Sequence, residues 1–106
     1  MKIHLPKTLK VGGFNYTIET SKKTSKELEA DSIWGEHSSF LRRIRLSNTC
    51  LPQQFSQTFL HEILHAVDDI YNSHRLDEDS IQALSHGLFQ IFEQLGISFT
   101  VKENEE

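Results

Sequence analysis

The sequence has a single cysteine, Cys50, among its 106 residues. An internal disulfide is therefore excluded, and no CxxC pair is present to build a thiolate metal site. Cys50 reads as a small core or loop residue suited to a reducing compartment. Basic charge is also in short supply: 11 Lys and Arg against 15 Asp and Glu leave a net charge of −4 with His neutral. A domain that grips nucleic acid shows the opposite balance, so no nucleic-acid partner is expected. The one basic cluster, Arg42-Arg43-Ile44-Arg45, alternates as a half-exposed strand does. No long apolar run occurs at the N-terminus or elsewhere. Neither a signal peptide nor a membrane span is expected, and the chain reads as soluble and cytoplasmic.

What is present suffices for one domain, 1–106, with a modest core. Apolar residues make up 37% of the chain and include seven Phe, one Trp and two Tyr. Residues 1–20 read as strand, with Gly12-Gly13 as the turn of a hairpin and Phe14, Tyr16 and Ile18 on one face. Residues 21–31 are rich in Lys, Ser and Glu and read as a solvated loop or short polar helix. Two more strands are expected over 33–37 and 40–46, turning at Ser38-Ser39, with Phe40, Arg42, Ile44 and Leu46 sharing a face. Pro52 stands at a helix start. Apolar residues then recur at helical spacing from about Gln53 to Tyr71, and again from about Asp77 to Leu95. In the second helix the core stripe is read as Ile81, Leu84, Ser85, Leu88 and Phe92. Gly96 ends that helix, 97–101 form a short strand, and the tail 102–106 frays. The fold class is α+β: a small antiparallel sheet followed by two helices.

The first of these helices carries His61-Glu62-Ile63-Leu64-His65. On a helical wheel with Phe55 at the origin, the large apolar residues fall within roughly 180°, and the two histidines fall outside that arc at about 240° and 280°. They are neighbours one turn apart and can each give a nitrogen to one tetrahedral zinc ion. Glu62 lies about 80° round from the pair, too far to be a third ligand but placed to touch a water on the metal. That is the mechanical content of HExxH: two ligands and one general base from a turn and a half of helix. A pair of core histidines is the plain alternative, and the wheel disfavours it.

The third ligand is expected at the start of the second helix. Glu78 lies about 60–70° from the centre of the apolar stripe, whereas Asp79 points away from it and Asp77 is shorter and at the end. Glu78 is the first choice, with Asp77 and Asp79 as alternatives. Acidic residues also favour a first helical turn through the helix dipole alone. Two His and one carboxylate leave one zinc position for water, whose pKa then falls toward neutrality. Glu62 would take its proton as the oxygen attacks a carbonyl carbon, then pass it to the leaving nitrogen. Asp68 and Asp69 read as a solvated face or as acceptors behind a ligating imidazole. His74 and Tyr71 are weaker candidates for a substrate oxyanion. His37 and His86 lack helical pairing with another ligand, and His4 reads as exposed.

With these residues in place, the chain resembles the small phage and bacterial HExxH metallopeptidase-like proteins, akin to the minigluzincins. The resemblance runs through Val11-Gly12-Gly13-Phe14-Asn15-Tyr16, Trp34-Gly35-Glu36 and Ile44-Arg45-Leu46 to the stretch His61–Asp68. It continues with Leu76-Asp77-Glu78-Asp79-Ser80-Ile81 and Leu84-Ser85-His86-Gly87-Leu88. It implies a minimal zincin-like fold, zinc ligands His61 and His65, Glu62 as catalytic base, and an acidic third ligand opening the second helix. That family often has two adjacent glutamates there. Here the second is Asp79, which favours Glu78. The resemblance also implies an extended peptide or protein substrate laid along a sheet edge from residues 34–46. The expected function is that of a zinc-dependent endopeptidase. The alternatives are a non-catalytic zinc-containing module that holds a protein on its sheet edge, and a hydrolase of another amide.

Overall fold

The computed structural model describes residues 1–101; the tail 102–106, expected to fray, lies outside the described residues. Gly12 and Gly13 close the first hairpin with φ of +60° and +90°, the left-handed pair that a two-residue turn needs. They join β2 (Thr8–Val11) to β3 (Phe14–Glu19), with Val11 opposite Phe14. Gly12 also has no room for a side chain, since a Cβ there would stand 2.2 Å from Ile70 Cγ2. Tyr16 and Ile18 enter the core as their alternation predicts. Phe14 stays 42% exposed, with the Arg42 guanidinium 3.7 Å above its ring.

The segment after β3 is a helix, α1 (Lys22–Ala30), rather than a loop. Ser21 caps it by accepting from the Thr24 amide, and Leu28 anchors it by complete burial. This crossover changes the sheet. It carries the chain back so that β5 (Arg43–Leu46) runs parallel to β3, while β4 (Gly35–Ser38) pairs antiparallel with β5 at the edge. The order is β2-β3-β5-β4, and the expected antiparallel sheet is mixed instead. The turn between β4 and β5 is also longer than Ser38-Ser39. It occupies residues 39–42, with Arg42 at φ +49°, so Phe40 is 92% exposed and only Ile44 and Leu46 reach the core from that row. A separate parallel pair, β1 (Lys2–His4) with β6 (Ser98–Thr100), ties the start of the chain to the end of the fold.

Two helices cover the sheet. α2 (Pro52–Tyr71) begins on Pro52 and buries Phe55, Phe59, Leu60 and Ala66 in one core with Tyr16, Ile44 and Leu46. α3 (Glu78–Gln94) is capped by Asp77, whose carboxylate accepts from the Ser80 amide at 2.8 Å, and Gly96 follows its end at φ +76°. Ile81 and Ser85 are fully buried, but Leu84 and Leu88 are 50% and 37% exposed. The expected five-residue stripe is thus narrower in the fold, because α3 is covered on one arc only. The architecture is α+β, with two small sheets and three helices among the described residues. No helix of the described residues is long and apolar enough to cross a membrane.

The turn between α2 and α3 is organised by Asp68, which is 2% exposed. Its carboxylate accepts from the Leu76 amide at 3.2 and 3.3 Å and from Asn72 Nδ2 at 2.8 Å, with His74 Nδ1 at 3.9 Å. Burial alone would raise its pKa. The bonds from Asn72 and Leu76 and the field of His74 outweigh burial and hold it below the ordinary aspartate value. Because the folded pKa is depressed, its stabilisation is fully present above the ordinary value of 3.8 and is lost as pH falls through the folded value. Asp68→Ala should lower Tm by about 5–10 °C at pH 7. In thermal melts followed by circular dichroism, the gap to wild type should shrink as the pH drops below 3.8. A gap independent of pH would show that the carboxylate charge is not what holds the turn.

Candidate metal centre

The core side of α2 fixes the direction of its other side. With Phe55, Phe59 and Ala66 held against the sheet, His61 and His65 stand one turn apart, ring centroids 4.9 Å from each other. The turn anchored by Asp68 then sets the first residue of α3 beside them. Glu78 Oε2 lies 2.8 Å from His61 Nε2, and Glu78 Oε1 lies 3.2 Å from His65 Nε2. The ligand atoms of these three residues all fall within 4.8 Å of one another. Of the three acidic candidates, Glu78 is the one brought to the histidines. Asp77 is engaged in capping the helix, and Asp79 does not join the group.

The donor set fits a small divalent cation. Bonds of about 2.0–2.1 Å in a tetrahedron place ligand atoms about 3.3–3.4 Å apart. The contacts of 2.8 and 3.2 Å, each to a different Glu78 oxygen, and the outer bound of 4.8 Å for the whole set lie either side of that separation, and the Glu78 side chain, 65% exposed, is free to adjust. The histidines are firmer, at 17% and 21% exposure. Burial lowers the pKa of His61 against the opposing pull of Glu78, which favours the neutral imidazole that a metal requires.

Glu62 sits between the two histidines in sequence but on the sheet side of the helix, 8% exposed. Burial, aided by the charges of Glu78 and Glu36, pushes its pKa up to about 7. A carboxyl of that affinity gives and takes a proton near neutral pH. It lines an open cleft of about 200 Å³ together with Trp34 and Gly35 on the sheet side, Thr58 and His61 on α2 and Gln82 on α3.

His37 is the residue that sequence spacing does not reveal. It stands on edge strand β4, its ring stacked at 5.7 Å on Tyr16 and at 5.9 Å on His65, with Nε2 3.5 Å from the Tyr16 hydroxyl. Burial first, then the neighbouring His65, lowers its pKa. Glu36 pairs with Arg45 across the strands, which turns the next residue, His37, to the opposite, helix-facing side. The basic cluster is likewise engaged within the chain. Arg45 bonds Glu36 and Glu27, Arg43 lies 3.9 Å from Glu19, and Arg42 covers Phe14.

The remaining candidates fall elsewhere. Asp68 neither backs a ligating imidazole nor faces solvent, because its carboxylate is used inside the helix turn. His74 is 71% exposed and lies near Asp68 and Asp69, and Tyr71 is 68% exposed; neither belongs to the ligand group. His86 contacts Gln82 at 3.0 Å on the same helix, and His4 is exposed on β1. No protein-family model, characterised protein or solved structure matches the chain.

Elemental analysis after reconstitution with divalent metals should find close to one metal ion per chain. His65→Ala should lose it, and Glu78→Ala should weaken binding by about 10-fold or more. Retention of full affinity in Glu78→Ala would remove that carboxylate from the ligand set.

Proposed function

We propose that this chain is a zinc-dependent endopeptidase of minimal zincin-like, minigluzincin-like design. The reading rests above all on Glu62. A site that held metal only to stabilise the fold would need no proton acceptor. Here a buried carboxyl, poised near neutrality, lies next to the ligand pair and opens onto a cleft. Zinc suits two imidazoles and one carboxylate with a coordination position to spare. The single half-buried thiol fits a reducing compartment such as the cytoplasm.

A zinc ion held by His61, His65 and Glu78 would supply Lewis-acid activation of water and of the scissile carbonyl. Glu62 accepts the proton of the attacking water. The peptide C–N bond breaks as Glu62 delivers that proton to the departing nitrogen, leaving a carboxylate and an amine. His37, aligned by Tyr16, stands on the sheet side of the ligands, where an N–H donor can meet negative charge forming on the carbonyl oxygen. β4 is an edge strand packed along α2, so an extended peptide can add to it by main-chain hydrogen bonding and present its carbonyl to Glu62.

Glu62→Gln is close in shape and removes only the base. The variant should keep its zinc and its circular dichroism spectrum while cleavage of a peptide library falls by about 100-fold or more. Undiminished cleavage would refute this mechanism. Zinc binding without cleavage in the wild type would favour the module that holds a partner on the β4 edge.

A further inference from the structure

α3 presents an apolar stripe that nothing among the described residues covers. Leu84, Leu88, Ile91 and Leu95 are 50%, 37%, 54% and 66% exposed. Their spacing of four, three and four is that of a helix-pairing seam. Two further features separate this face from an ordinary solvated one. From Ser80 to Phe92 the helix carries no Asp, Glu, Lys or Arg, although a quarter of the chain is charged. Depletion of charge with retention of large aliphatic residues marks the centre of an interface. Gly87 lies on the flank of the stripe in mid-helix, and a Cβ there would meet nothing within 4 Å. The isolated chain has no packing need for glycine at this point, where glycine weakens a helix. A second backbone approaching closely would need it.

We propose that this face pairs with the same face of a second copy of the chain, as an antiparallel helix pair about a two-fold axis. The stripe is its own complement. With the axis between Phe89 and Gln90, Leu84 meets the partner's Leu95 and Leu88 meets the partner's Ile91. A symmetric interface requires such reciprocity. The face has no charge with which to select an acidic or basic partner. The four residues leave on the order of 400 Å² of side chain in water, the size of a functional patch on a monomer. Pairing buries about twice that, plus flanking residues, which places the contact at the low end of specific interfaces. An interface of that size belongs to the weak, transient class. Glu78 lies about 110° round the helix from the stripe, so pairing leaves the metal centre open.

Sedimentation equilibrium of the full chain should show mass rising with concentration from 12.3 kDa toward twice that value. Ile91→Glu should remain monomeric throughout. Leu95→Glu, at the helix end, repeats the test should the first variant lose helicity. Mixing Leu84→Cys with Leu95→Cys chains under oxidation should give a cross-linked dimer that neither variant forms alone, with the wild type controlling for Cys50. A wild type that stays monomeric to about 1 mM overturns the proposal, as does a dimer that survives both Glu substitutions. Cross-linking of Leu84→Cys to itself overturns the antiparallel arrangement.

Discussion

The carboxylate of Asp68 is buried at the point where α2 ends, and the direction of α3 depends on it. A helix hairpin can leave its first helix at many angles unless the connection is held. Here one side chain takes the Leu76 amide and the Asn72 amide group together, while the Asp68 carbonyl accepts from the amides of Asn72 and His74. The chain is thus folded back on the last turns of α2 before α3 begins. Asp77 then caps α3, and the next residue, Glu78, arrives beside His61 and His65. The ligand group depends on this small polar knot as much as on the ligands. It is built from groups that would otherwise be unsatisfied at the helix ends.

The site lies where three elements meet, and one physical cause acts on it in two directions. Burial disfavours charge, so it raises the Glu62 carboxyl to about 7 and lowers the imidazoles of His61 and His37. An acid is left able to exchange a proton near neutrality, and bases are left neutral and able to ligate or donate. Glu78, the most exposed of the group, remains the adjustable member that can close on a cation. The sheet contributes rigidity. Tyr16 is fully buried on β3 and carries His37, which in turn carries the ring of His65.

α3 faces three ways. Ile81 and Ser85 fill the space against the rest of the fold, and Glu78 and Gln82 border the centre and its cleft. Leu84, Leu88, Ile91 and Leu95 look outward. Past Glu78, the first two arcs leave no place for charge, and the outward arc is aliphatic, so the middle of the helix is uncharged. The same division of faces explains why its apolar residues cannot be assigned to the core from their number alone.

By itself the sequence determined the local and periodic features: the Gly12-Gly13 hairpin, the bounds of both long helices, the Gly96 stop, and the histidines one turn apart on the polar side of α2. These follow from backbone sterics and helical period, which need no distant partner. The preference for Glu78 was partly legible: angle on the helix set Asp79 aside, while Asp77 stayed open until the fold showed its carboxylate capping α3. Tertiary structure decided whatever depends on which elements meet. α1 is a helix because Leu28 finds a buried place, and that crossover made the β3–β5 pairing parallel and the sheet mixed. His37 joined the site through strand register rather than spacing along the chain. Asp68 became an interior anchor because the following loop folded onto it. Leu84 and Leu88 stayed outside because no element of the described residues lies over them. Periodicity records that a face is apolar; only the packing of the other elements determines what covers it.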